Sequence, residues 1–157
     1  MFRETRREKI TAVKFRKPEM EEQVLDLRRV TRVVAGGKRF RFRATVVIGD
    51  GKGQVGIGVA KGLDVESSIN KARIKAKNHL VKISIQNKTI PHEVEAKFSA
   101  ARVLIKPAVV GHGLMAGGSA RVVLKLAGVE NATAKCLGST SNKLTNAMAT
   151  LEALKKI

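Results

Sequence analysis

The chain has no tryptophan and no tyrosine, only three prolines, and a single cysteine, Cys136. A lone cysteine excludes an intramolecular disulfide framework and points to a reducing compartment. Metal chemistry has little to draw on. His79, His92 and His112 lie far apart and show no ligand spacing with one another or with Cys136, so no metal site is expected. Acidic side chains are scarce too, thirteen against thirty-one Lys and Arg. No apolar run approaches the roughly 18 residues that a membrane span requires. The opening stretch MFRETRREKITAVKFRKPEMEE lacks an apolar core, and its Glu4 and Glu8 suit a transit peptide poorly. Together these absences describe a cytoplasmic protein with no membrane partner.

What is present is positive charge on a folded frame. A formal net charge of +18 names a polyanion as the natural partner. A hydrophobic content of 43% is too high for a disordered polycation. The charge is weighted toward residues 1–83, which hold 21 basic and 9 acidic side chains, so the first half is the expected contact surface.

Residues 1–19 mix both charges with few apolar residues and read as a basic N-terminal arm. Three strands follow: LRRVTRVV (27–34), KRFRFRATVVIG (38–49) and QVGIGVAK (54–61), the last two joined by a turn at Asp50-Gly51. Val65, Ile69, Ala72, Ala76, Leu80 and Ile83 recur at helical spacing behind Asp64, a candidate N-cap. Lys71, Arg73, Lys75, Lys77 and Lys82 fall off that stripe and are expected to face solvent. A polar connection, SIQNKTIPHEV, marks a boundary. Beyond it EVEAKFSA and ARVLIKPA read as strands, GHGLMAGG as a loop, SARVVLKLAG as a helix ending at Gly128, NATAKCLG as a strand and LTNAMATLEALKKI as a closing helix. The expected fold class is α+β, a three-stranded antiparallel sheet plus helix followed by a second small β-β-α-β-α unit. The expected division is an arm at 1–19, a first domain at 20–83, a linker at 84–92 and a second domain at 93–157.

Period-2 alternation places Phe40 and Phe42 with Ala44, Val46 and Ile48, and so in the core, while Arg39, Arg41, Arg43 and Thr45 share the other side. With no Trp or Tyr, and no Lys/Arg-Gly-aromatic-Gly pattern, a base-stacking platform lacks its side chains, and recognition through phosphates and shape is expected. Arg28, Arg29, Arg32, Lys38, Arg39, Arg41 and Arg43 fall within seventeen residues that contain no acid, a cluster suited to neutralising several phosphates. Lys52 in the hairpin turn, Lys61 at the end of the third strand and Arg121 on the second-unit helix extend the candidate set.

Two Gly-rich loops raise the question of a nucleotide enzyme. GDGKG lacks the Ser or Thr that follows the P-loop lysine and lies between strands, so it is a hairpin turn. In GHGLMAGG, Gly111, Gly113 and Ala116 satisfy a permissive G-x-G-x-x-G/A form ahead of a helix, which leaves a phosphate grip and a tight structural turn both open. The unit around it is too small for a doubly wound sheet, and nearby acids are too few for magnesium or a general base. No catalytic residue, cofactor or small-molecule substrate is expected.

Phe40-x-Phe42-x-Ala44, Val47-x-Gly49-Asp50, Gly53, Gly56-x-Gly58, Lys61, Val65, Ile69 and Lys71-Ala72 form one motif block. Arg102-Val103, Pro107-Ala108, Gly113 with Ala116-Gly117-Gly118, Ala127-Gly128-Val129, Ala134-Lys135 and Gly138-Ser139 form a second, in order. In these blocks the sequence resembles the bacterial small-subunit ribosomal protein five family over nearly all of residues 20–157. The resemblance implies a first domain like double-stranded-RNA-binding domains and a second domain with a left-handed crossover. It implies a structural, non-enzymatic protein that binds small-subunit rRNA, serves subunit assembly and translational accuracy near the decoding region and messenger path, and has ribosomal proteins four and eight as neighbours. It also implies that the loop with Gly36, Gly37, Lys38 and Arg39 reaches toward rRNA and that Arg102 faces protein four. Thr140-Ser141-Asn142-Lys143 departs from the family's Asn-Pro at the entry to the last helix. A free double-stranded-RNA-binding regulator is the competing reading.

Overall fold

The computed structural model describes residues 20–157. The expected arm at 1–19 lies outside the described residues. The first meander forms β1 (Glu21–Val34), β2 (Gly37–Gly49) and β3 (Gln54–Gly62), antiparallel in that order. Helix α1 (Val65–Asn78) follows with Asp64 in the N-cap position, although the Asp64 side chain makes no capping hydrogen bond. The helical spacing runs past the helix itself: α1 stops at Asn78, and Leu80–Lys82 turns back as a fourth strand, β4, paired with Gln54–Gly56. Leu80 packs into the same small cluster that α1 covers, so it satisfies the helical stripe without being helical.

The second sheet comprises β5 (Val94–Phe98), β6 (Ala101–Pro107), β7 (Leu114–Met115) and β8 (Ala132–Cys136), ordered β5-β6-β8-β7. Its helices are α2 (Gly118–Ala127), between β7 and β8, and α3 (Lys143–Leu154), at the end. Strand β7 has no counterpart in the sequence pattern. It is two residues long, sits within GHGLMAGG and pairs in parallel with β8, so α2 is a crossover connection. The departure at 140–143 is well formed: Asn142 caps α3, its side chain accepting from the Leu144 amide at 3.1 Å, and Thr140 Oγ1 accepts from the Asn142 amide.

Two apolar clusters hold these layers. Ala44, Val46, Ile48 and Ala60 meet Ala72 and Ala76 of α1 on one face of the first sheet. On the opposite face Val47, Val55 and Ile57 join the large cluster formed by the second sheet, α2 and α3. The middle of β2 is therefore covered on both sides, and Ala44 to Gly49 are all buried. Such a strand reads as a continuous apolar run, ATVVIG. The side expected to carry cations to solvent is closed from Thr45 onward, because the second unit sits on it.

The junction is tied by the β2–β3 turn. Asp50 Oδ1 accepts from the Lys52 and Gln54 amides, at 2.7 and 2.9 Å, and shapes the turn. The Gly51 amide donates to Leu126 O at 3.0 Å and the Gly53 amide to Ala127 O at 2.8 Å. These are the carbonyls that a helix C-terminus leaves without partners. A Cβ at Gly128 would stand 2.2 Å from Gly51 O, so the two segments touch only because a glycine is there. The hairpin reading of GDGKG holds, and its amides are engaged by a helix end.

Candidate nucleic-acid interface

Strand β3 ends opposite Phe42, at the Phe42–Gly62 pair, yet β1 and β2 continue to the Val34–Gly37 pair. The five pairs from Val30–Arg41 outward form a free two-stranded ribbon about 15 Å long, at roughly 3.4 Å per residue. Ala35 and Gly36 make its turn, and Gly37 takes a positive φ of 132°.

Residues paired directly across antiparallel strands point to one face. The register puts Arg28 opposite Arg43, Val30 opposite Arg41 and Arg32 opposite Arg39, with Lys61 of β3 beside Arg43. Arg28, Arg32, Arg39, Arg41, Arg43 and Lys61 therefore share one face, and Arg28–Arg43–Lys61 form a row across three strands. This is the face that turns into the buried Thr45 and Val47 further along β2. Arg28 is not unopposed, as the acid-free run suggested: Asp26, one residue outside that run, pairs with it at 2.6 Å. The other five make no ion pair among the described residues. Arg43 is half-buried, and its Nε has no hydrogen-bond partner among the described residues.

Arg29 and Lys38 lie on the opposite face, with Thr31, Val33, Phe40 and Phe42. Here the structure corrects the core assignment of the phenylalanines. Phe40 is 48% exposed and Phe42 half-buried, because neither β3 nor α1 extends beneath the ribbon. The Arg29 guanidinium stands over the Phe40 ring, 4.7 Å from its centroid.

The remaining candidates are elsewhere. Lys52 sits in the turn at the far end of β2, about 40 Å of strand from the ribbon tip at ~3.3 Å per residue. Arg121 is on α2, where it lines a groove with Gly51 and Lys125. Arg102, on β6, pairs with Glu95 on β5, and that contact holds the Glu95 carboxyl below the usual carboxylate range and raises the Arg102 guanidinium. Lys71, Lys75 and Lys77 are exposed on α1, while Arg73 is tied to Glu22 of β1, whose hydrogen bonds raise its pKa.

The loop at 111–118 is organised by Asn131, which sequence reasoning passes over. Its side chain is 5% exposed, and its Oδ1 accepts from the Gly111 and Gly113 amides at 3.1 and 3.2 Å. Amides so engaged do not face a phosphate, which favours the structural turn. An asparagine at the head of a strand carries no motif that would single it out.

Residues 20–84 match the family model described as Ribosomal protein S5, N-terminal domain, and residues 96–157 the model described as Ribosomal protein S5, C-terminal domain. A small ribosomal subunit protein uS5c of Spinacia oleracea is 51% identical over 136 residues, 86% of this chain and 44% of that protein. A small ribosomal subunit protein uS5c of Cyanophora paradoxa is 44% identical over 152 residues, 96% of this chain and 89% of that protein. The chain thus spans less than half the length of the spinach relative.

Proposed function

The chain belongs to the ribosomal protein S5 family of the small subunit, and on that premise we propose that it is a structural rRNA-binding protein whose β1–β2 ribbon grips the rRNA backbone. The observation that carries this reading is the cationic face of the ribbon and its base. Arg32, Arg39, Arg41, Arg43 and Lys61 stand on one side of the sheet without carboxylate partners among the described residues. A two-stranded ribbon with both faces in water is marginal by itself. A phosphate backbone laid against it supplies the missing counter-charge and a third layer. Gly36 and Gly37 at the tip leave room for close approach, since a Cβ at either would meet nothing within 4 Å.

The partners are rRNA and other proteins of the small subunit. We take residues 20–83 as the unit that grips RNA and residues 93–157 as the unit that faces protein neighbours, joined by 84–92. Ribosomal proteins four and eight are the proposed neighbours, with Arg102 on the side of protein four and a role there in decoding accuracy. The ribosome concerned is placed in the cytoplasm; both relatives are chloroplast proteins, which makes a plastid the other compartment to consider. No observation favours a free regulator of duplex RNA.

The test is filter binding to refolded small-subunit rRNA across a salt series. Replacing Arg32, Arg39 and Arg41 by Ala should weaken binding and reduce the slope of log K against log salt by about 2 to 3, at roughly 0.7–0.9 for each phosphate no longer neutralised. A slope equal to that of the parent chain would refute the proposal.

A further inference from the structure

The ribbon has two unlike faces, and the phosphate-gripping proposal uses only one. We infer that the other face carries a shelf for one unpaired nucleobase, built from the Phe40 ring and held by the Arg29 guanidinium.

Four observations converge on it. Phe40 leaves 48% of its surface in water, although a phenyl ring is among the costliest side chains to expose. The register sets Arg29 diagonally across from Phe40, and its guanidinium covers the ring at 4.7 Å from the centroid, which fixes the ring's orientation. Because β3 stops opposite Phe42, no strand among the described residues lies beside Phe40 on the side away from β1. Lys38, two residues along the same face, borders that side. Val33, 73% exposed, and Leu27, 42% exposed, continue the apolar surface along β1.

The occupant this face fits is an unpaired nucleotide. A base presents a flat π surface of the ring's size, and its phosphate needs a cation within reach, which Arg29 and Lys38 provide. No acidic residue occurs between positions 27 and 43 to repel it. A ring in stacking contact also explains why the ribbon carries an aromatic where a lysine or threonine would leave less apolar surface in water. Stacking of this kind tolerates any base, so it confers position, not sequence. A loop or bulged nucleotide is required, since bases within a duplex have no free face to offer.

The inference rests on the rRNA-binding reading, and the test separates the two. The full chain is titrated into refolded small-subunit rRNA over a salt series, as the parent and as Phe40→Leu, Phe40→Trp and the Arg32/Arg39/Arg41→Ala variant. Phe40→Leu keeps an apolar side chain but removes the π surface; it should bind about ten-fold more weakly with an unchanged salt slope. Phe40→Trp should restore or tighten binding. Thermal melting of each variant confirms that the sheet survives. If Phe40→Leu binds as the parent does while the arginine variant loses slope, the shelf is wrong and the phosphate grip stands. If neither variant changes binding, the rRNA-gripping ribbon falls, and the shelf falls with it. If Phe40→Leu binds rRNA normally but enters assembled small subunits poorly, the face is a protein contact and the inference is overturned.

Discussion

Replacing Gly58 by alanine measures how closely α1 rests on the first sheet. A Cβ at Gly58 would stand 2.0 Å from the Ala72 carbonyl oxygen, 2.5 Å from the Ala76 nitrogen and 3.0 Å from the Ala76 Cβ. Ordinary carbon–oxygen contacts begin near ~3.3 Å, so the helix would have to retreat by about 1.3 Å. Two of these atoms are helix backbone and the third is a Cβ fixed to it, so none can rotate aside as the end of a flexible side chain would. The cluster beneath is small: among the described residues Ala44, Val46, Ile48, Ala60, Ala72 and Ala76 are buried in it. A radial gap of about 1 Å forfeits up to roughly half of a contact's dispersion energy, which every member of that cluster would feel. The cost should therefore reach the upper end of the overpacking range, about 3 kcal/mol. At roughly 2–4 °C per kcal/mol for a chain of this size, the melting temperature should fall by about 6–12 °C, followed by circular dichroism at a helix wavelength. Gly36→Ala is the matched control: nothing lies within 4 Å of its Cβ and its φ is not positive, so it should melt within about 1 °C of the parent. Should Gly58→Ala melt with the control, α1 does not sit on that glycine and the account of the first core fails.

Asn131→Leu removes the acceptor of the Gly111 and Gly113 amides; it should cost about 2 kcal/mol and speed hydrogen exchange at both amides, and unchanged exchange would show that the loop is held otherwise. Phe42→Ala should cost about 1–2 kcal/mol, short of the ~3–5 typical of a fully buried phenylalanine, because its ring is only half-buried; a melting shift worth about 4 kcal/mol or more would return the ring to the core. Arg102→Ala should let the Glu95 carboxyl titrate higher than in the parent, as followed by NMR. The carboxyl is depressed in the folded state, so the pair's contribution is present at neutral pH and fades as pH falls through the lowered Glu95 range. An unmoved Glu95 midpoint would mean that the pair does not form in solution.

The elements are legible where one periodicity operates. β5, β6, α2, β8 and α3 follow from their own patterns, and α2 ends at Gly128, which adopts the left-handed conformation expected of a helix-terminal glycine. Legibility fails where two packing partners share a segment. The parity of Phe40 and Phe42 is as the alternation predicts, since they do lie on the side of Ala44 and Val46. Burial does not follow from parity, however, and the strand outruns the sheet and helix that bury its other end. Leu80 and Ile83 keep helical spacing while belonging to a strand and to the segment after it. The charge cluster is visible as composition, but its division between two faces depends on the register of β1 against β2. Asp26, the partner of Arg28, falls just outside the acid-free window, and Asn131 has no spacing to betray it.

The covering of Val47, Val55 and Ile57 by the second unit has a consequence for how the chain is made. These residues are synthesised early, but the surface that shields them is completed only with α3 at Leu154, about 100 residues after Ile57. At about 5–20 residues per second, that leaves an apolar sheet face bare for roughly 5–20 s on every nascent chain. During that interval the face is open to any other apolar surface it meets. The arginines of the neighbouring ribbon are already in place, so like charge discourages two such intermediates from pairing. The cations proposed to meet the finished protein's partner thus also protect the unfinished one from its own kind.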